Sequence, residues 1–398
     1  MFIEQSVARR RVVRLLFVAA ALLPCAGLAA AAWWRQSAGH VAAIAREAAA
    51  HLGMPVAIGS VTHPRPGVMR LAGVTVGDTL VVPDVEVEAA AAEIRLRVSR
   101  VECSPAAARV LAELAGEWLR RAARFPRSWV VDVAEVAWLP EGGDAVEAGG
   151  WHGECVAAGD ARAVRLRREP ATPDEIRVRL GDEGLAVEAT LEAAVPASIV
   201  AAVTAGNTTW ADALGPRAVL RGTLQAVRDA GRWAGKAAGA IDRVDLASAC
   251  PGGGRRLEGE ATLTVAALEF AASRVERCDL EFTAADGVIA QDLLDDLVSS
   301  LGCRPGPAYR ALGGESLRRF DRLACRVVVD ADGLHLRAPA GPGSGLVVSQ
   351  GLTLLEEPVA AVPPMRLAWL LSPAGRPPVP ASAATGWLIS VLPTDSAF

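Results

Sequence analysis

The stretch HLGMPVAIGSVTHPRPGVMRLAGVTVGD, His51 to Asp78, decides how the chain folds. PVAIGSV and VMRLAGVTV are rich in β-branched residues and read as strands. Between them, HPRPG holds two prolines that forbid helix, so it is expected to turn the chain. Upstream, residues 36–52 (QSAGHVAAIAREAAAHL) read as a short helix that Gly53 stops. The order is helix, strand, turn, strand, directly after an apolar run. Val56, Ile58 and Val61 break strict alternation, because Val61 lies an odd number of residues from Ile58. A bulge at Gly59 is expected to restore the register and bend the strand.

Outward from this stretch, period-two patterning dominates. AEIRLRVSR sets Ile94, Leu96 and Val98 against Arg95, Arg97 and Ser99, and EIRVRL, GLAVEATLEA, ATLTV and DLEF repeat the scheme. A charged outer face opposite an apolar one marks antiparallel strands covered on one side. RVRLGDEGLAVEA, LEFTAADGVIA and RVVVDADGLHLRA form a weak internal repeat, expected as hairpins turning at Gly184, Gly287 and Gly333. The expected fold is mainly β: an elongated, twisted antiparallel sheet, groove-like or sandwiched, with a few packed helices. Aromatic residues are only 5% of the chain, so the core must be built from small and β-branched side chains.

Helix signals are few. SPAAARVLAELAGEWLRRAARFP opens on a Ser104-Pro105 cap, carries Val110, Leu111, Leu114 and Trp118 on one stripe, and is expected to stop at Pro126. Residues 288–301 place Ile289, Leu293, Leu297 and Leu301 at fourfold spacing before Gly302, and a weaker helix is expected near 196–206. Prolines crowd the segment 351–398, whose apolar patches are too short to span a bilayer.

The N-terminus is the most specific signal. Arg9, Arg10, Arg11 and Arg14 precede an uncharged run from Leu15 to Trp34. Twenty helical residues cover about 30 Å, the hydrocarbon thickness of a bilayer. The arginines predict a cytoplasmic N-terminus and an exported body, with Trp33 and Trp34 at the outer interface. A signal peptide cleaved in the Ala29–Ala32 run is the competing reading. The expected arrangement is a tail 1–11, a signal-anchor helix 12–34, a juxtamembrane helix 35–53, β-rich regions 54–205 and 206–350, and the Pro-rich end. Overall charge is −4, and residues 1–35 hold +4 of it, so the remainder carries −8 by subtraction. An acidic body excludes nucleic acid as a partner.

No motif for catalysis, cofactor or metal stands out. GRWAGKAAG around Lys236, the one lysine, is a residue short of a phosphate loop and has Ala237 where Ser or Thr is needed, which excludes nucleotide. GPGSG at 341–345 is not a nucleophile elbow. Asp292, Asp295 and Asp296 read as a solvated helix face, and His40, His51, His63, His152 and His335 are scattered. The seven cysteines have no zinc spacing. Six of them lie in the body and are compatible with disulfides or with buried thiols.

At residues 52–78 the chain resembles the N-terminal module of AsmA-like proteins, the superfamily that includes TamB-type envelope proteins. Val56, Ile58, Gly59 and Val61 match a V-x-I-G-x-V strand, and Gly73, Val74, Val76 and Asp78 match a strand ending G-V-x-V-x-D. The likeness is moderate over the first 100 residues and looser beyond. It implies a bent sheet with an apolar groove and a role in lipid transfer or envelope assembly. The body is much shorter than that of many members of the superfamily. The resulting expectation is a non-enzymatic protein of the inner membrane, with its body in the periplasm and membrane lipid, or other envelope proteins, as partner. A structural protein with a closed β core and protein partners only is the alternative, and an exported enzyme is a third. An apolar stripe continuous across strands favours the first, and a stripe capped by helix 104–124 favours the second.

Overall fold

The alternation is realised as one 18-stranded sheet in the computed structural model. It describes residues 7–367 and 392, apart from 122–126, 159–160, 170–171, 183, 205–208, 250–255, 273, 311–315 and 340–343. The chain opens with α1 (Val7–Arg35) and α2 (Ala38–Leu52), then β1 (Val56–Arg65), β2 (Val68–Val76), β3 (Leu80–Ala89) and β4 (Glu93–Cys103). Helix α3 (Pro105–Arg120) leads to β5 (Ser128–Trp138), β6 (Val146–Ala158), β7 (Ala161–Glu169), β8 (Glu175–Gly181) and β9 (Gly184–Pro196). After α4 (Ala197–Val203) and α5 (Thr209–Leu214) come β10 (Val219–Asp229) and β11 (Arg232–Asp245). Then follow α6 (Leu246–Ala249), β12 (Leu257–Ala271), β13 (Arg274–Ala290) and α7 (Gln291–Leu301). The chain finishes in β14 (Arg304–Pro305), β15 (Leu317–Asp330), β16 (Gly333–Arg337), β17 (Val347–Ser349) and β18 (Leu352–Glu356).

Each strand from β1 to β13 pairs with its successor, and β13 pairs with β15. One pair departs from the antiparallel expectation: β4 and β5 are parallel, because α3 carries the chain back to the starting end before β5 begins.

The opening stretch forms the β1–β2 hairpin with two corrections. The strand continues through Pro64 to Arg65, so only Pro66 and Gly67 turn. Pro64 is tolerated because β1 pairs only with β2 among the described strands and the register slips between Thr62 and Arg65. Gly59 hosts no bulge, since Ile58 pairs with Val74 and Ser60 with Ala72 in unbroken register. The break in alternation comes from Gly73 opposite, at φ +63°, a conformation costly for residues with a Cβ. Val56, Ile58 and Val61 all join one core with Val74, Val76, α2 and α3. Ile58 is half-buried against this core, so Ile58→Asp is expected to destabilise the N-terminal half, since an unpaired carboxylate among apolar neighbours costs up to several kcal/mol. Proteolysis of a membrane preparation checks this, and a protease-resistant variant would contradict it.

Two hairpins of the repeat form, at Gly184 and at Gly333 (φ +102° and +122°). The expected turn at Gly287 does not. β13 runs straight through it, and Asp286 at φ +51° absorbs a slip in the β12 pairing instead. For the same reason residues 288–290 end a strand, and α7 begins only at Gln291. Ser104 caps α3 as expected, its Oγ accepting from Ala107 N at 3.2 Å. The buried stripe of α3 is Ala107, Ala108, Trp118 and Leu119, while Leu111 faces outward. The stop at Pro126 and the apolar patches after Leu367 lie outside the described residues.

Helix α3 lies across β3, β4, β7 and β8 and packs on α4. Helices α4, α5, α6 and α7 sit at the ends of β9, β10, β11 and β13 that the antiparallel order brings to one rim. At that rim β9 bulges between Leu191 and Val195, and Asp174 (1% exposed) accepts hydrogen bonds from the backbone N–H groups of Glu192 (2.5 Å) and Ala193 (3.1 Å). Arg168 supplies the countercharge at 3.2 Å.

Candidate functional site

Register turns the alternation of single strands into rows across the sheet. One row reads Met69, Val87, Leu96, Val131, Gly153, Leu166, Ile176, Ala189, Leu224, Ala237, Leu268, Cys278, Val329, Leu334. It crosses fourteen strands without a charge. Its first three residues belong to the core under α2 and α3, and its last three to the core under α7. The middle, from Leu166 to Leu268, packs into none of the hydrophobic cores. Leu166 is exposed, and Ile176, Leu224 and Leu268 are half-buried. A neighbouring row (Val178, Val187, Ala226, Gly235, Phe270) widens this apolar strip. From β7 to β12 it spans five inter-strand steps, about 24 Å at roughly 4.8 Å each.

The other face carries the charge, in the rows between these. Arg70 bonds both oxygens of Asp84 (2.8 and 2.7 Å), Arg97 reaches Glu86 (2.9 Å) and Arg100 reaches Glu135 (2.7 Å). Arg179 reaches Glu188 (2.9 Å) and Arg326 clamps Asp279 (2.8 and 2.6 Å). The Arg70 guanidinium holds the Asp84 carboxyl below its usual range. The solvent-exposed pairs contribute little stability one by one, Asp279 being the buried exception, and all of them keep this face polar. On it, two adjoining hollows of about 500 and 520 Å³ share Glu188, Gln225, Lys236 and Glu269.

His152 stands in this charge ladder. One ring nitrogen lies 2.6 Å from Asp132 and the other 3.0 Å from Glu154, which also lies 3.5 Å from Arg167. Burial alone lowers its pKa, but the hydrogen bonds to Asp132 and Glu154 outweigh it and raise the pKa above 6.5. A raised folded-state pKa stabilises fully below the unfolded value, and that stabilisation is lost as pH rises through the folded one. Wild type should therefore lose stability from about pH 6.5 upward relative to His152→Gln, as read by urea unfolding at several pH values. Parallel pH profiles would contradict this.

The expected sites fall in two places. Arg9, Arg10, Arg11, Arg14, Leu15, Trp33 and Trp34 lie on α1, the one helix among the described residues long and apolar enough to cross a membrane, and none is buried. Val56, Ile58, Gly59, Val61, Gly73, Val74 and Val76 form the β1–β2 hairpin, and Asp78 is exposed in the turn before β3. Val56, Ile58, Val61, Val74 and Val76 pack into one core, away from the middle of the apolar strip, while Gly59, Gly73 and Asp78 are exposed. Lys236 lies in the middle of β11, where no phosphate-cradling turn exists. Asp292 is exposed as expected, whereas Asp295 is half-buried and accepts hydrogen bonds from Gln291 Nε2 (2.6 Å) and the Tyr309 hydroxyl. Among the described residues no group of three or more His, Cys, Asp or Glu could hold a metal.

The six described cysteines are free thiols. Burial pushes Cys103, Cys155 and Cys303 up to about 12, which makes them unreactive. Sequence reasoning found the apolar face but missed which strands leave it uncovered, and it missed His152 and the hollow. No protein-family model, curated protein or solved structure matches the chain.

Proposed function

We propose that this is a non-enzymatic, single-pass membrane-anchored protein of the cell envelope that takes up acyl chains of membrane lipid along the apolar strip, in an AsmA-like role. On this reading α1 sits in the inner membrane, with the N-terminus cytoplasmic and the body periplasmic. The observation that carries it is the uncharged fourteen-strand row whose middle packs into no core. One leaflet of a bilayer's hydrocarbon core is about 15 Å deep, so a chain that fills a leaflet fits within the roughly 24 Å of the strip. Each methylene removed from water contributes about 0.8 kcal/mol, so even partial contact along a chain yields a useful affinity.

The second reading, a structural protein with protein partners only, draws on α3, which caps the stripe over β3 and β4. It accounts for the closed N-terminal half and leaves the middle of the row unexplained. Mass spectrometry of lipid co-purified with the detergent-extracted chain tests the proposal. Leu224→Glu should remove most of that lipid while the body stays folded, because Leu224 belongs to no core. Equal lipid in variant and wild type would overturn it.

A further inference from the structure

The cross-strand pairing of the polar face breaks down in the hollow. Among the described residues, the side chains of Thr223, Gln225, Lys236 and Glu269 have no hydrogen-bond or ion-pair partner, although all line it. Arg177 and Glu188 beside them are paired, with Glu175 and Arg179. Lys236 and Glu269 stand directly opposite each other on β11 and β12, yet they do not close into an ion pair. Gln225 faces Lys236 from β10, with Thr223 two residues along the same strand and face.

From this arrangement we infer that the hollow binds a small zwitterion of the phosphoethanolamine type, an anion and an ammonium joined by a two-carbon link. Lys236, the Gln225 amide and the Thr223 hydroxyl supply three donors for the oxygens of a phosphate. Glu269 accepts from the ammonium. Side chains directly opposite on paired strands start about 4.5–5.5 Å apart, a span that a two-carbon link bridges. The lining holds three carboxylates, Glu175, Glu188 and Glu269, against the two cations Arg177 and Lys236, so inorganic phosphate alone binds poorly. The hollow lies on the face opposite the apolar strip, so the inference stands independently of lipid uptake there. The zwitterion is either free in solution or the headgroup of a lipid.

The test is isothermal titration of the full chain in detergent with O-phosphoethanolamine, inorganic phosphate and ethanolamine. A further arm adds a short-chain phosphatidylethanolamine to the micelles. O-phosphoethanolamine is expected to bind at least about tenfold tighter than either half, the discrimination that one charge-assisted contact gives. Lys236→Gln and Glu269→Gln should each weaken it about tenfold, and both residues are exposed, so both variants fold. Binding of the soluble zwitterion as tight as that of the lipid supports a free ligand. Binding of the lipid alone, lost in Lys236→Gln, supports a headgroup. Phosphate binding as well as the zwitterion, either substitution leaving affinity unchanged, or no binding in any arm would overturn the inference.

Discussion

Gly287→Ala should destabilise the body by about 3 kcal/mol, more than most single substitutions in any protein. A Cβ at this position would overlap the ring of Phe320 and the backbone carbonyl of Glu258. Neither can yield. Phe320 is 1% exposed in a core with Ile289, Leu294 and Leu355, and the Glu258 carbonyl belongs to the β12–β13 pairing. Interiors packed to crystal density transmit such an overlap rather than absorb it. Phe320→Ala removes one of the two obstacles and leaves a cavity, so it should cost a similar amount alone and should not restore Gly287→Ala. Urea unfolding of both single variants and the double variant checks this. A loss below about 1 kcal/mol for Gly287→Ala would mean that β13 is not continuous through the position.

Asp174→Ala is the second large effect, about 3 kcal/mol. The carboxylate is sealed from water and satisfies two backbone N–H groups of the β9 bulge while facing Arg168. Truncation strands both donors and the guanidinium together. Asp174→Asn keeps an oxygen for the amides and loses only the charge, so it should cost roughly half as much. Thermal unfolding of the two variants side by side gives the comparison, and equal losses would show that charge alone matters. The rim formed by α4 should loosen first, because the bulge leads directly into it.

Much of this was legible in the chain, and the failures have specific causes. Alternation located β8 and β9 because each strand sets apolar residues against charged ones and Gly184 needs a positive φ. The same cue misled at Gly287, where the glycine is required by Phe320, a residue 33 positions away that no local pattern reveals. The Ser104-Pro105 cap locates α3, yet the spacing also puts the exposed Leu111 on the apolar stripe, because spacing alone does not say how wide the buried stripe is. In β1 the flip of faces points to a glycine, and Gly73 rather than Gly59 holds the positive φ. Gly59 and Gly73 are equivalent in sequence, and only the backbone angle separates them. The apolar strip was half legible. The alternation of EIRVRL and GLAVEATLEA marks an apolar face on β8 and β9, but whether a helix covers it depends on where α3 and α7 come to lie.

On the proposed function, the middle of the fourteen-strand row meets lipid. Site-specific photocrosslinking in native membranes tests it most directly, with a benzophenone amino acid replacing Leu224 on the strip or Arg97 on the polar face. A light-dependent adduct of phospholipid mass is expected at position 224 and none at position 97. Crosslinks from position 224 to protein alone, or equal lipid labelling at both positions, would contradict it.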